Sequence, residues 1–425
     1  MPTPPISPAL GALRAPAARR LAVRVTPDAL RHVRAGHPWV FGDSITSITG
    51  GDGSGGRAGD LAVVFDANRN FAAIGFYDPA SPMRIKILHA GAPATIDAGW
   101  WRAAFDRALE LRRPFTDRPD ADRLGYRVVN GENDGLPGLI VDRYAGVLVV
   151  KLYTPALFAH LPAIVEQLIG ATGCETVVLR MARTVQRGDT QGLADGDVVA
   201  GELTDPAVVF VESGLEFEAD VRRGQKTGWF LDQRANRVTV GSMSAGRDVL
   251  DVFAAGGGFS VHAAAGGARS VHSVDLSAPT LAAAVRNMER NRSLDAVRAC
   301  AHTVQVGDAF EVMAELARAD RRFGIVVVDP PSFAQRQSSI DAAVRAYTRL
   351  THLAVRLVEP DGVLVQASCS SRVTPELFFD TVEAAARSAG RPLTNVLRTG
   401  HDIDHPVGFA HGEYLKAGFW TVPDR

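Results

Sequence analysis

Hydrophobic and polar positions along the chain change their period as it proceeds. Between residues 21 and about 90 the runs are short: Leu61-Ala-Val-Val-Phe65, Ala72-Ala-Ile-Gly-Phe-Tyr77 and the alternating Met83-Arg-Ile-Lys-Ile-Leu88. Turn signals separate them, at Gly50-Gly-Asp-Gly-Ser-Gly-Gly56, Asn68-Arg-Asn70 and Asp78-Pro79. Short strands between such turns predict a small β-barrel. A helical period follows over 98–113 and stops at Pro114. A mixed stretch then runs to about residue 210, with strands predicted at 138–142, 146–152 and 175–179 and a helix near 156–170. From about residue 215 the pattern becomes alternating βα units. Strands are predicted at 248–253, 270–275, 325–329 and 363–368, and helices at 278–291, 309–318 and 339–358. Nearly continuous apolar strands bounded by helices imply a parallel sheet covered on both faces. Residues 1–20 are rich in Pro and Ala and predict a mobile tail.

The length of 425 residues exceeds what one core organises and implies roughly two or three domains. Apolar residues at 46% and charged residues at 22% describe a folded, soluble chain. No apolar run reaches membrane-spanning length, and Pro and Arg precede any apolar run at the N-terminus, unlike a secretory signal. Cys174, Cys300 and Cys369 are scattered and odd in number. They exclude a disulfide framework and a Cys-rich zinc site and fit a reducing cytoplasm, so no metal is expected. A net charge of −1 gives no global attraction to nucleic acid. One local basic cluster exists: the first 42 residues carry Arg14, Arg19, Arg20, Arg24, Arg31 and Arg34 against Asp28 alone.

Candidate chemistry lies mostly in the last half. Asp251-Val-Phe-Ala-Ala-Gly-Gly-Gly-Phe-Ser260 ends a predicted strand and enters a helix. Glycines there let backbone approach a ligand, and the helix N-terminus favours negative charge. Asp275 ends the next strand, about 20 residues on, where a carboxylate can accept from ribose hydroxyls. The spacing is not that of a dinucleotide fingerprint, which favours a nucleoside-containing cofactor other than NAD. Asp329-Pro-Pro-Ser-Phe333 follows an apolar strand, at the carboxyl end where open α/β sheets bind ligands. Cys369 ends the strand after that, in Ala367-Ser-Cys-Ser-Ser371. On its own such a cysteine is as readily small filler at a strand end.

Together these features resemble a class I S-adenosylmethionine (SAM) methyltransferase. Gly224-Gln-Lys-Thr-Gly-Trp-Phe-Leu-Asp-Gln-Arg234 resembles the signature of bacterial 23S ribosomal RNA cytosine-5 methyltransferases, the large-subunit methyltransferase I family. So do His37-Pro-Trp-Val-Phe41, Arg127-Val-Val-Asn-Gly-Glu-Asn-Asp-Gly-Leu-Pro-Gly-Leu139, Ser368-Cys-Ser370, Asp404-His-Pro406 and Glu413-Tyr-Leu-Lys416, in the same order from about residue 21 to 423. The resemblance implies a multidomain fold. Residues 21–93 would form a small PUA-like RNA-binding β-barrel, 94–213 a central α/β domain, and 214–425 a Rossmann-like α/β methyltransferase with a mostly parallel sheet. The cofactor implied is SAM, held by Lys226, Phe230, Asp232, Gln233, Phe253, Gly256, Gly257, Gly258, Asp275, Asp308, Asp329 and Pro330. Two departures stand out: Ala255-Gly256-Gly257-Gly258 replaces the family's usual Tyr-Thr-Gly-Gly, and Gln225 stands where a His is usual.

The partner implied is 23S ribosomal RNA; the oligomeric state stays open, a homodimer among the options. Carbon 5 of cytosine is a poor nucleophile until a thiolate adds at carbon 6, so the chemistry needs a cysteine and an acid for nitrogen 3. Cys369 and Asp329 are the catalytic candidates; Ser332 stands where other cytosine-5 enzymes keep a cysteine. An acid at Asp329 would need a raised pKa. Arg24, Arg31, Arg34, Arg222, Arg223 and His405 are the RNA-binding candidates, with Trp39 and Phe41 expected in the barrel core. Two other readings remain: nitrogen methylation of a guanine or adenine, which Asp-Pro-Pro-aromatic motifs serve, and a non-catalytic assembly factor.

Overall fold

A computed structural model describes residues 5–51, 55–334, 336–409 and 411–424. The centre of the glycine-rich turn, 52–54, and the first four residues of the expected tail lie outside the described residues. The chain forms two compact units. The first takes the described parts of Met1–Phe210, Ala219–Leu231 and Ile403–Gly412; the second takes Val211–Glu218, Asp232–Asp402 and Glu413–Arg425.

The first unit contains two sheets. A six-stranded sheet runs in the spatial order Trp39–Phe41, Met83–Ala90, Phe71–Tyr77, Leu61–Phe65, Leu21–Val25, Ile45–Gly50. All neighbours are antiparallel except the pair Leu21–Val25 and Leu61–Phe65. Its inner face buries Leu21, Val23, Val40, Ala62, Val64, Ala73, Ile85 and Ile87. The second sheet orders Val198–Ala200, Thr176–Met181, Val147–Leu152, Leu139–Tyr144 and Gly125–Asn130. Residues 5–20 are not a free tail throughout: Pro8–Gly11 is helical and Leu10 is buried. The helix predicted over 98–113 ends at Glu110, and Pro114 sits in the first turn of a second short helix, Arg113–Thr116. Proline tolerates that position because its missing N–H has no partner to lose there.

The second unit is a seven-stranded sheet between helices. Its strands in chain order are β1 Asp248–Val252, β2 Ser270–Asp275, β3 Ala301–Val306, β4 Phe323–Val328, β5 Val358–Ser368, β6 Thr394–Thr399 and β7 Lys416–Val422. The spatial order is β3-β2-β1-β4-β5-β7-β6. The first five are parallel; β7 runs antiparallel between β5 and β6. Sequence patterning named β1, β2, β4 and β5, which are apolar on both faces. It missed β3, β6 and β7: β3 and β6 are edge strands with mostly exposed side chains, which bury too little to show a hydrophobic signal, and β7 is buried but opens on Lys-Ala-Gly, which is not a continuous apolar run. The helices α1 Arg234–Met243, α2 Gly258–Ala265, α3 Ala278–Arg290, α4 Ala309–Arg318, α5 Ile340–Leu357 and α6 Pro375–Ser388 cover the sheet. Val252 pairs with Val328 and Val328 with Gln366. The carboxyl ends of β1, β4 and β5 therefore share one rim, which carries Phe253, Asp329 and Cys369.

Candidate active site

The glycine loop between β1 and α2 is a bent, close-fitting backbone. Phe253 and Ala255 take left-handed conformations at φ 64° and 48°, which L side chains adopt at a cost. Gly257 caps α2 at φ +78°, and a Cβ there would come within 2.7 Å of the Ala284 Cβ on α3. At Gly258 a Cβ would lie 2.6 Å from Arg237 Cδ. That arginine cannot yield easily, because two nitrogens bind buried Glu212 at 2.6 and 2.7 Å. Burial pushes the Glu212 carboxyl up, but the Arg237 guanidinium outweighs it and sets the group at about 2. The loop is thus a cradle that side chains would fill.

Asp275 closes one side of this cradle. Its Oδ2 accepts from the Ala255 amide at 3.0 Å and its Oδ1 from the Ser277 amide at 2.9 Å. Each carboxylate oxygen has a second lone pair, so a ribose diol can still donate to the half-buried group. Asp308 is exposed and caps α4, its Oδ1 accepting from the amides of Phe310 and Glu311 at 2.9 and 3.2 Å. Asp251 was not anticipated. It is fully buried, accepts from Ser260 Oγ at 2.6 Å, and so ties β1 to α2 directly under the glycine loop. Burial pushes its carboxyl up to about 6. The glycine cradle, its helix N-terminus and the acid on β2 fit the methionine and ribose parts of SAM.

Around Asp329 the polar groups form a line. Gln233 Nε2 donates to Asp329 Oδ1 at 2.9 Å, Asn236 Nδ2 donates to Gln233 Oε1 at 2.6 Å, and Thr399 Oγ donates to Asn236 Oδ1 at 2.6 Å. Gln233 and Asn236 are buried. Asp232 Oδ2 accepts from the Tyr414 hydroxyl at 2.9 Å. Cys369 is half-buried, with its Sγ 4.0 Å from the Pro330 carbonyl oxygen, which brings the thiol against the Asp-Pro-Pro turn. Hydroxyls brace the two loops: Ser370 Oγ lies 3.2 Å from Ser332 Oγ and 3.1 Å from the Tyr347 hydroxyl, which also reaches Ser368 Oγ at 2.8 Å. Ser332 is thus a strut of the turn. Cys174 and Cys300 are buried. Burial raises the Cys174 thiol and pushes Cys300 up to about 11, so neither is primed for attack near neutral pH.

The remaining candidates belong to the first unit. Lys226 takes φ 54° and its ammonium lies 4.6 Å from the Phe230 ring centroid. Its carbonyl accepts from Lys151 Nζ at 2.7 Å. Arg24 lines a groove of about 460 Å³ with Ala22, Ser47, Thr49, Phe65 and Arg69. Arg31 pairs with Asp28, and Arg34 with Asp66 at 3.2 Å, so the basic cluster is offset by an acid some 32 positions away. Arg222 and Arg223 are exposed, although Arg222 Nε donates to the Gly196 carbonyl at 2.8 Å. Two expectations are corrected. Phe41 is 46% exposed rather than in the core. His405 is 1% exposed, its Nδ1 2.8 Å from Asp404 Oδ1, and cannot meet RNA from there.

The Asp404-His-Pro406 segment has a structural task instead. Arg112, with none of its side chain exposed, binds both oxygens of Asp134 at 2.8 and 2.7 Å and donates to the Asp404 carbonyl at 2.9 Å. Asp404 Oδ2 accepts from the Arg127 amide at 2.9 Å, and Asn130 Nδ2 donates to the Pro406 carbonyl at 3.0 Å. Arg127 in turn binds both oxygens of buried Asp142 at 2.8 and 3.0 Å. The motif of residues 127–139 and the late Asp-His-Pro segment therefore form one buried polar framework.

A parallel sheet with a reversed last strand, a glycine cradle with an acid on the next strand, and an Asp-Pro-Pro rim define a SAM-dependent methyltransferase. The model of the S-adenosylmethionine-dependent methyltransferase family matches residues 129–407, and that of the PUA-like domain matches 23–90. A ribosomal RNA large subunit methyltransferase from Deinococcus radiodurans is 46% identical over 410 residues, covering 95% of this chain and 98% of the relative. A ribosomal RNA large subunit methyltransferase I from Shewanella denitrificans is 32% identical over 398 residues, covering 93% and 97%. The chain belongs to this family of ribosomal RNA large subunit methyltransferases. Among solved structures, a Streptococcus mutans protein described as a SAM-dependent methyltransferase superposes with a TM-score of 0.77 at 18% identity, covering 94% of this chain and all of that one. Another, at 19% identity and the same TM-score, is a methyltransferase complexed with S-adenosylhomocysteine.

The cradle gives a direct expectation. Gly257→Ala combines a strained φ with a contact that neither α2 nor α3 can relieve. SAM binding measured by calorimetry should weaken by at least about tenfold, roughly 1.4 kcal/mol. Gly266→Ala would be no control, since its Cβ would meet the Gly241 carbonyl; Gly246→Ala meets nothing within 4 Å, and despite its φ of +70° should leave SAM affinity unchanged.

Proposed function

We propose that the protein methylates carbon 5 of a cytosine in 23S ribosomal RNA, in the cytoplasm, through a covalent adduct between Cys369 and carbon 6 of the base. The observation that supports this reading most is the 4.0 Å approach of Cys369 Sγ to the Pro330 carbonyl. It brings the one half-buried thiol onto the rim that also bears Asp329.

When bound, SAM supplies an electrophilic methyl on its sulfonium. The Cys369 thiolate adds to carbon 6, and the displaced π-electrons move toward nitrogen 3, which takes a proton from Asp329. Carbon 5 is then electron-rich and attacks the methyl. Loss of the carbon-5 proton to water, return of the nitrogen-3 proton to Asp329 and departure of the thiolate restore the ring. Gln233 donates to Oδ1 of Asp329 and so orients the carboxyl that exchanges the nitrogen-3 proton. Reaching carbon 6 needs an unpaired or flipped base.

The RNA would be held partly by the groove of the first unit. Arg24 and Arg69 can meet phosphates there, and half-buried Phe65 can stack on a base. A carboxylate held as an acceptor at Asp329 also suits nitrogen methylation, in which it would accept from the target amine. Methylation of 23S rRNA with labelled SAM, followed by nucleoside mass spectrometry, decides between them. The expected product is 5-methylcytidine; a methylated guanosine or adenosine would overturn the cytosine reading, and no incorporation would overturn the enzyme reading.

A further inference from the structure

Lys416 is an unusual residue to find where it is. It begins β7 and pairs in register with Ser368 at the end of β5, one residue before the thiol. The residue is 3% exposed. Its Nζ donates to the carbonyl of Ser370 at 2.7 Å and to that of Tyr414 at 3.0 Å. Among the described residues no carboxylate closes an ion pair with it, and both its hydrogen-bond partners are neutral carbonyls. Burying an ammonium against carbonyls alone is costly, and a methionine or leucine would fill the same space without that cost.

We infer that Lys416 is a positioning residue for the reaction at Cys369: its ammonium pins the turn after the cysteine through the Ser370 carbonyl and supplies the cation that stabilises the Cys369 thiolate. The inference rests on the reading of Cys369 as the nucleophile. Ser370 is the residue immediately after Cys369, so a bond to its carbonyl fixes the backbone that aims the sulfur. The hydroxyl of Tyr347 and Ser332 hold the Ser370 side chain from the opposite side. The turn is thereby clamped through both its backbone and its side chain.

The electrostatic part follows from reciprocity. Burial pushes the Lys416 ammonium down to about 8, and the Cys369 charge and Glu413 act in the other direction. An interaction that holds the proton on the lysine when the thiolate forms must, equally, favour the thiolate while the lysine is charged. The titratable groups on the surrounding elements include Tyr414, whose hydroxyl is engaged by Asp232, His401, whose Nε2 accepts from the Tyr414 and Leu415 amides, Tyr347 on α5, and Asp329 on the neighbouring turn. Carboxyl groups this near the thiol oppose a second negative charge on it. The Lys416 ammonium acts against them.

The test is the pH dependence of Cys369 alkylation by iodoacetamide in the full-length protein, read by peptide mass spectrometry so that Cys174 and Cys300 do not interfere. Lys416→Met should raise the midpoint of the Cys369 profile by about one pH unit or more, the scale of one lost charge–charge contact at partly buried range. Lys416→Arg keeps a cation and should leave the midpoint near that of the unaltered chain. Methylation at pH 7.5 should fall at least about tenfold in Lys416→Met with SAM affinity within about twofold, and Lys416→Arg should restore part of it. Where Lys416→Met does not accumulate folded, Lys416→Gln provides the neutral variant. An unchanged alkylation midpoint in the neutral variant overturns the inference. Retained methylation in Cys369→Ala instead overturns the nucleophile reading, whatever Lys416 does, so the two failures are separable.

Discussion

Cys369→Ala should lose methyl transfer by about 10³-fold or more, at least about 4 kcal/mol of transition-state stabilisation. SAM affinity should stay within about twofold, because the cysteine stands on the β5 rim and the cradle on β1 and β2. Cys369→Ser keeps the shape and a hydroxyl, but a hydroxyl ionises too weakly to attack, so it should be nearly as inactive. Single-turnover methylation with saturating SAM and RNA checks both. Activity of Cys369→Ala within about tenfold of the unaltered protein would shift the reading to nitrogen methylation, for which no thiol is needed.

The second large effect is on stability. Arg112→Met removes the guanidinium that pairs the Asp134 carboxylate and donates to the Asp404 carbonyl, in a site where the arginine side chain is 0% and the aspartate side chain 1% exposed. Removing one partner of a buried ion pair typically costs about 3–5 kcal/mol. The urea midpoint of the transition that involves the first unit should fall accordingly. Arg102→Met is the control: its pair with Asp106 is about half exposed on both sides and should matter by less than about 1 kcal/mol. A double variant, Arg112→Met with Asp134→Leu, should recover part of the loss, since the stranded charge is then gone. Equal effects at Arg112 and Arg102 would show that the buried framework is not what holds this region.

Much of the second unit was legible in the sequence because its central strands are buried on both faces and its helices are amphipathic. Asp329 was legible as a carboxylate at the abrupt end of an apolar strand, and Asp275 by its place about 20 residues after the glycine loop. What escaped was anything whose partner lies far along the chain. Asp404 meets Arg127 some 277 residues away, and no local pattern marks that contact. The same blindness made His405 look like a surface residue and left Arg34 apparently unopposed, with Asp66 outside the window considered. Asp251 was placed in its strand, but its role escaped because only the fold sets Ser260 against it. Lys416 was visible as part of a motif, but its burial was not, and the burial is what gives it a role.

The covalent adduct can be trapped on RNA whose carbon 5 has no proton to lose. 23S RNA transcribed with 5-fluorocytidine in place of cytidine carries a fluorine where the carbon-5 proton must leave. After methyl transfer the ring cannot be restored by proton loss, so the thioether to carbon 6 should persist. Incubation of the full-length protein with this RNA and SAM should give a protein–RNA species that survives denaturing electrophoresis, maps by mass spectrometry to the peptide containing Cys369, requires SAM, and is absent with Cys369→Ala. Methylation of ordinary RNA without any such species from the fluorinated RNA, or a species attached at another residue, would contradict the account.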